Sequence, residues 1–546
     1  MEEIREQLEK TIKSIYDIDF EADLSVAPEI IDADYSSNAP LKLAKELHKA
    51  PMQVAGELKE KLDGVTVSAP GFLNFRLTDD SLNAAISNLS ENFEENVASN
   101  EYAGQTIICE FSDPNPFKVL HVGHLYTSIV GDSISRLFEN AGAKVIRANF
   151  GGDVGLHVAK TMYVLRQKSI EDLTIEDIAR CYVEGTALYD DDEAAHTEIT
   201  KLNKEIYRIN SENLHNSDLA ELYWRGRELS YDYFNDFYAK IGVKFDKYYP
   251  ESTVAALGLK TVKDQLARGV YEMSDGATIF NGERFGLHTR VFINKEGVPT
   301  YEAKDVGLIL TKWQDYHFDK SVVITGSEQL DYMKVVLKSV EQFEPDLVKK
   351  TSHLIHGLVK LPGNVKMSSR KGNFLKAVDV LDMIKEELKT EYNSEDEKVI
   401  LAATKYAFLK YKMGGDIIFD PKESVKMTGN SGPYLLYSAV RAKKILQKSK
   451  VSGEQKENTT LEPAERNLIK KLLEYKSLLK EATVEMAPHK VANYLYELAQ
   501  EFSRFYENCQ VTGCDKELER LKIVRTYLRV MTHGLDILGI NIPEEM

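Results

Sequence analysis

Two histidines frame the tetrad His121-Val122-Gly123-His124, at the point where a loop gives way to an amphipathic helical pattern. A helix N-terminus offers N–H groups and a positive dipole, which suits phosphate. Imidazoles placed there can donate hydrogen bonds to phosphate oxygens and stabilise charge building up at phosphorus during a displacement. Gly123 leaves room for a base or ribose to approach the backbone. The same four residues would also serve as an ordinary helix start, while a metal site would lack a third ligand nearby. A second cluster, Lys366-Met367-Ser368-Ser369-Arg370-Lys371-Gly372, brings cations and hydroxyls suited to the triphosphate of ATP. Taken alone it is equally a solvated basic loop, and its spacing is not that of a P-loop.

The surrounding sequence supplies elements to position these groups. TIICEFS (106–112) is a short apolar run that predicts a buried strand, and DPNPFK (113–118) is a turn. A helix is predicted from about 122 to 141, with Leu125, Ile129, Leu137 and Phe138 on one side and Gly142 past its end. KVIRANF (144–150) predicts a second strand. Strand, loop, helix, strand is a βαβ unit and implies a parallel sheet. Between 270 and 330 the runs ATIF, RVFI and SVVITG predict further strands of that core. Residues 353–376 read as a Gly- and Lys-rich loop, and the pattern after about 395 is helical, with a polar gap at 453–465. The highly charged stretch 160–240 is helical by pattern, an insertion or connecting bundle with no chemistry of its own to assign. In the first hundred residues, Ile4, Leu8, Ile12 and Ile15 mark one helix and Leu41, Leu43, Ala44 and Leu47 another. VTVSAPGFLNFRL (65–77) predicts a hairpin about Pro70-Gly71, which makes this unit small and α+β.

Composition sets the limits. A chain of 546 residues, at about 150 per domain, has room for three to four domains. Its 43% hydrophobic and 28% charged residues exclude disorder, collagen and disulfide scaffolds. The net charge of −17 argues against a polybasic DNA coat. That charge is uneven: residues 430–546 carry +2, so the remainder carries −19. The four cysteines contain no CxxC pair and suit a reducing compartment. With no signal peptide pattern and no membrane-length apolar run, a cytoplasmic protein is expected.

The two clusters together are far more specific than either alone. HxGH early and KMSxx late, across an α/β body, resemble the HIGH and KMSKS signatures of class I aminoacyl-tRNA synthetases. EFSDPNPFKVLHVGH (110–124), GGDVG (151–155), PTYEAKDVG (299–307), VKMSSRKGN (365–373) and GNSGPYLLYSAVRA (429–442) resemble the arginyl-tRNA synthetase versions. LYELAQEFSRFYENCQV (495–511) and GLDILGINIPEEM (534–546) resemble that family's helical anticodon-binding domain, and the hairpin VSAPGFLNFRL the end of its N-terminal domain. The likeness runs from about residue 65 to the last residue and is weakest over 160–240. Three positions depart from the pattern. Val154 stands where the family often has Trp, Val122 replaces Ile, and Ser369 replaces the second lysine of KMSKS. Many arginyl enzymes share the last change, with a lysine before the HIGH motif held to compensate; Lys118 occupies that place.

The resemblance implies a multidomain α/β protein. It would comprise an N-terminal α+β tRNA-contacting domain (1–100), a Rossmann-like parallel-sheet catalytic domain (101–395) with the insertion 160–240, and an all-helical anticodon-binding domain (396–546). The activity implied is arginine–tRNA ligation, with arginine, Mg-ATP and tRNA-Arg as partners, and adenylate formation that needs bound tRNA. A monomer is implied, with no zinc, DNA or membrane partner. His121, His124, Lys118 and Lys366 would do the phosphate work, and Pro114, Gly123, Met367, Ser368 and Ser369 would complete the ATP site. Independently, arginine presents a planar cation with five donors, so a selective pocket needs carboxylates set to accept them. Glu110 ends the first strand and Asp305 follows Tyr301; by resemblance these three hold the side chain, while Asn115, His121 and Gln329 grip the α-amino and carboxylate groups. Singly, Glu110 or Asp305 would pass for a surface acid. The C-terminal set Tyr434, Tyr437, Arg441, Lys443, Lys444, Tyr494, Arg504 and Tyr506 could stack on and pair with unpaired anticodon nucleotides, or simply build a helical bundle. Two rivals stand beside this reading. One is another HxGH nucleotidyltransferase or a synthetase for another amino acid, of which a glutamate enzyme would need cations in the pocket. The other is a non-catalytic tRNA-binding paralogue, against which His121, His124 and Lys366 speak.

Overall fold

The computed structural model describes residues 2–28, 30–31, 33–168, 173–363, 375–449 and 460–546. The chain divides into two compact units. The first comprises Met1–Val97, Arg441–Ser477 and Glu497–Val530, and the second Ala98–Val440, Leu478–Tyr496 and Met531–Met546.

The second unit is built on a five-stranded sheet: β1 (Thr106–Glu110), β2 (Lys144–Gly151), β3 (Lys247–Pro250), β4 (Lys320–Gly326) and β5 (Thr351–His356). The order is β5-β4-β1-β2-β3, and every neighbouring pair is parallel. Apolar runs such as Ile107, Ile108 and Cys109, all fully buried, are what a sheet covered on both faces requires. The helix α1 (Val122–Asn140) crosses from β1 to β2, as its spacing predicts. ATIF and RVFI are strands but not of this sheet. Ala277–Phe280 is the middle strand of a separate three-stranded sheet, antiparallel to Arg290–Ile293 on one side and to Glu272–Ser274 on the other. A short apolar run bounded by turns specifies a strand without specifying its partner. The stretch 353–376 likewise begins inside β5 and not as loop, because His353 and His356 sit in register with Val323 and Gly326.

Helix α2 (Glu251–Leu266) and helix α3 (Tyr301–Tyr316) are pressed together at two glycines. A Cβ on Gly258 would meet the Ala303 carbonyl oxygen at 1.9 Å, and one on Gly307 the Val254 oxygen at 2.2 Å. Gly307 of the PTYEAKDVG run therefore sets how deeply α3 lies, and with it where Tyr301 and Asp305 project. The stretch 160–240 is helical as expected: Leu156–Leu165, Ile175–Asp191, Glu193–Ser211 and Asp218–Ile241 share a core of Val158, Met162, Cys181, Ile199 and Ile206. Phe117 and Val154, from two of the signature loops, are buried in that same core. Val154 thus does apolar packing work where the family often places Trp. The helical pattern past residue 395 holds, broken by the two-residue strand Ile417–Ile418, which pairs parallel with Val359–Lys360.

The first unit carries a four-stranded antiparallel sheet, Ser25–Val26, Tyr35–Ser37, Phe72–Phe75, Val65–Ser68 in that order, under helices Glu2–Tyr16, Ala39–Leu47 and Pro51–Lys59. The predicted hairpin is present, with Val65 opposite Phe75 and Ser68 opposite Phe72. Leu8, Ile12, Leu43 and Leu73 are buried in its core. Within the same unit Arg466 bridges Asp34 (3.0 Å) and Asp79, and Lys470 adds a second cation on Asp34. Of the aromatic and basic residues noted in the C-terminal region, Tyr494 is buried, whereas Tyr437 and Tyr506 are exposed. The Arg441 guanidinium lies 5.2 Å from the Tyr506 ring, and Arg504 pairs with Glu501. Among the described residues no helix is long and apolar enough to cross a membrane.

Candidate active site

The chain adds β2 and β3 on one side of β1, then returns to place β4 and β5 on the other. Strand order therefore reverses between β1 and β4, and open α/β sheets bind ligands in the crevice beyond the carboxyl ends at such a point. A cavity of about 940 Å³ lies there. Glu110, Asn115, His121, Gly123, His124, Tyr301, Asp305 and Gln329 all line it, so residues spread over 220 positions of sequence meet in one place. Pro114 and Lys118 are not among the residues that line it, although the charge of Lys118 acts on His121. The Pro114 carbonyl sits where a Cβ on Gly151 would fall, at 2.3 Å, and the Lys118 ammonium lies 4.6 Å from the Tyr182 ring centroid. Lys366, Met367, Ser368 and Ser369 fall outside the described residues. The chain after them is placed: Val122 donates to the Leu375 carbonyl (2.9 Å) and Ala377 to that of Leu120 (3.0 Å). The chain that resumes at Leu375 is thus tied to the HVGH step.

The two histidines are arranged by their own backbone. His121 is the N-cap of α1, and its Nδ1 accepts from the Gly123 N–H at 3.1 Å. The Nδ1 of His124 accepts from the His121 N–H, also at 3.1 Å. This is a capping box made of imidazoles, and it satisfies two helix-start donors. With Nδ1 an acceptor in both rings, the proton of each neutral imidazole resides on Nε2. The rings stack with centroids 3.7 Å apart. Burial pushes His121 down to about 4, helped by the charge of Lys118 and by His356, and holds His124 well below the usual imidazole range. Both are therefore neutral N–H donors at physiological pH. A Cβ on Gly123 would lie 2.9 Å from the His121 ring, so this glycine makes room for the capping imidazole itself.

A second neighbourhood is acidic. Glu110, Asp113, Glu251 and Asp305 line the cavity. The Lys312 ammonium bonds Glu110 Oε2 at 2.5 Å, the Tyr332 hydroxyl donates to Asp305 Oδ2, and Lys304 pairs with Glu251 and with Tyr207 (2.7 Å). Burial, with the Glu110 and Glu251 carboxylates facing it, pushes Asp305 up to about 7, against the pull of Tyr332 and Lys312. Asp113 is raised well above the usual carboxylate range by burial and by Glu110 and Asp305, although its Oδ1 accepts from the Phe150 N–H at 2.8 Å. So many buried carboxylates in one cavity favour an incoming cation. Gly152 of the GGDVG loop donates to Asn115 Oδ1 at 2.7 Å, and its carbonyl bonds His157 Nε2 at 2.8 Å. Asp153 of that loop is fully buried on Arg227 (2.9 Å) and Ser252 (2.8 Å). Among the described residues no three His, Cys, Asp or Glu side chains are grouped as metal ligands.

Sequence reasoning passed over Asp113, Glu251, Lys304, Lys312, Tyr332 and His356. Only Lys312 carried a signal: it lies seven residues past Asp305, two turns along one helix face. The insertion also has a role that its sequence does not announce, since it delivers Tyr182 to Lys118 and Tyr207 to Lys304.

Residues 86–419 match the model of the catalytic domain of class I (R) tRNA synthetases, residues 2–77 that of the arginyl tRNA synthetase N terminal domain, and residues 435–546 that of the DALR anticodon binding domain. An arginine–tRNA ligase of Flavobacterium psychrophilum is 28% identical over 513 residues, covering 87% of this chain and 85% of that protein. One from Clostridium botulinum is 27% identical over 573 residues, covering 99% and 100%. In fold, the chain is similar to the arginyl-tRNA synthetase of Thermus thermophilus, with a TM-score of 0.79, 23% identity and all of both chains covered. The enzyme of Plasmodium falciparum gives a TM-score of 0.80 at 22% identity, covering 100% of this chain and 99% of that one.

Proposed function

The chain belongs to the class I arginyl-tRNA synthetases, and from that premise we propose that its crevice activates arginine with Mg-ATP, using the acidic neighbourhood for the amino acid and the imidazole pair for the phosphates. The protein is an arginine–tRNA ligase. The observation that carries the reading is one cavity lined both by neutral Nε2–H donors and by paired carboxylates. Glu110, Asp305 and Tyr301 take the guanidinium, and Asn115, His121 and Gln329 the α-amino and carboxylate groups. An arginine carboxylate oxygen attacks the α-phosphorus, the bond to the β-phosphate breaks, and pyrophosphate leaves with its charge. His121, His124, Lys118 and Lys366 stabilise the charge that develops, with Pro114, Gly123, Met367, Ser368 and Ser369 completing the ATP site. The 2′-hydroxyl of the terminal adenosine of tRNA-Arg then attacks the activated carbonyl and AMP departs. Positioning and fixed dipoles do this work without a covalent enzyme intermediate.

We assign tRNA contact to residues 1–100 and anticodon binding to 396–546, either side of a catalytic domain over 101–395; the family matches support this division. A cytoplasmic monomer that carries Mg2+ only on its ATP fits the same reading.

The test is the pH dependence of arginine use. The guanidinium stays charged throughout, and it is bound by ionised Asp305. Facing Asp305 are Tyr332, Glu110, Glu251, Lys312 and Asp113, and burial is the largest influence holding its value at about 7. Below that value binding must first remove a proton, so the arginine KM should fall about tenfold per pH unit as pH rises towards 7, then level off. The ATP KM should stay flat over pH 6–8, because neither His121 nor His124 titrates there. An arginine KM that rises with pH over this window would overturn the assignment.

A further inference from the structure

Each of the two carboxylates assigned to the guanidinium has one oxygen already engaged by the protein. Lys312 holds Glu110 Oε2 at 2.5 Å and also reaches the Ser321 hydroxyl at 3.4 Å. Tyr332 donates its hydroxyl to Asp305 Oδ2. The lysine and its partner are deeply buried, with side chains 1% and 5% exposed. None of these contacts follows from the phosphate chemistry, and Lys312 does not itself line the cavity. Its position is fixed by α3, the same helix that presents Tyr301 and Asp305.

We infer that Lys312 and Tyr332 are the positioning residues of the arginine pocket: each takes one carboxylate oxygen, leaving Glu110 Oε1 and Asp305 Oδ1 as two single acceptors for different guanidinium nitrogens. This rests on the reading of Glu110 and Asp305 as the arginine site. The pocket then selects by the separation of two acceptors and not by one two-pronged carboxylate. A planar cation with donors on several nitrogens satisfies both. An ammonium concentrates its donors on one atom, and citrulline lacks the charge. Lys312 has a second consequence. Glu110, Asp113, Glu251 and Asp305 crowd one region, and the buried Lys312 cation offsets part of their mutual repulsion while the substrate is absent. The ion pair also holds Glu110 at a fixed depth at the end of β1, so an arriving guanidinium meets a preset acceptor.

Steady-state kinetics on the full-length enzyme with tRNA tests this with Lys312→Met, Lys312→Arg, Tyr332→Phe and, as a control on the underlying reading, Glu110→Gln. Lys312→Met should raise the arginine KM by about thirtyfold or more while the ATP KM stays within about threefold. Lys312→Arg should recover most of that loss, because it restores the cation on Glu110. Tyr332→Phe should raise the arginine KM about tenfold, the effect of one lost hydrogen bond to a charged group. An arginine KM unchanged in Lys312→Met, or equal rises for arginine and ATP, overturns the inference. If Glu110→Gln leaves the arginine KM unchanged, the arginine-site reading itself has failed. If Glu110→Gln raises it and Lys312→Met does not, only the positioning role falls. Should the methionine variant not fold, Tyr332→Phe decides: an arginine KM within about twofold of the parent contradicts the inference.

Discussion

Asp305→Ala should raise the arginine KM by about a hundredfold or more while moving the ATP KM by less than about threefold. Removing one partner from a desolvated, charge-assisted contact costs about 2–5 kcal/mol, and each 1.4 kcal/mol is tenfold. Two further effects bear on this. Asp305 is held up at about 7, so roughly half of it is protonated in the free enzyme near neutrality; that discounts its contribution by only about 0.4 kcal/mol. Its removal also relieves repulsion with Glu110 and Glu251, which stabilises the empty pocket and weakens guanidinium binding further. The first effect is small and the second has the same sign as the prediction. Selectivity over ATP follows from placement. Asp305 interacts with Tyr332, Glu110, Glu251 and Lys312, whereas the imidazoles interact with Lys118, His356 and each other. Equal rises in the two KM values would show that Asp305 maintains the crevice as a whole.

His124→Ala should lower the rate of adenylate formation by about 10²–10³, the effect of removing one fixed donor from a developing charge, with tRNA affinity within about twofold of the parent. The substitution does two things at once. It removes the Nε2–H, and it removes the Nδ1 that accepts from the His121 N–H. The second loss leaves a helix-start donor without its partner and costs about 1 kcal/mol of stability. His124→Gln separates the two, since glutamine at the third helical position can accept from the N-cap N–H and rebuild the capping box. Thermal stability should return in His124→Gln while the rate stays low. A rate that recovers with stability would mean that His124 acts only as a cap.

The parts of this site legible in the sequence are those set by local structure. HVGH announces both a helix start and a phosphate site because the same unsatisfied N–H groups create both, and α1 begins at Val122 as the pattern predicts. Glu110 could be placed at a strand end because TIICE is an apolar run that stops there. Residues that act through tertiary partners were not legible. Glu251, Lys304 and Lys312 belong to a set of 155 charged residues in this chain, most of them solvated. Nothing local to Lys312 reveals that β1 brings Glu110 to it from 202 positions away. The sheet shows the same division. The first βαβ unit reads directly from its periodicities, whereas ATIF and RVFI pair with each other in a separate local sheet, because a short apolar run specifies a strand without specifying which sheet it joins. The helices of 160–240 were visible, but their connection to chemistry passes through two single tyrosine contacts, Tyr182 on Lys118 and Tyr207 on Lys304.

The most direct measurement is ATP–pyrophosphate exchange with arginine, with and without tRNA-Arg, and with lysine and citrulline as controls. Joining the acidic pocket to the imidazole pair in one crevice predicts exchange with arginine and with neither control; the resemblance to the arginyl enzymes adds the expectation that it appears only when tRNA is bound. Exchange with arginine in the absence of tRNA would keep the activation chemistry and remove the tRNA requirement. Exchange supported equally by lysine or citrulline, or none with tRNA demonstrably bound, would contradict the assignment of this crevice to arginine activation.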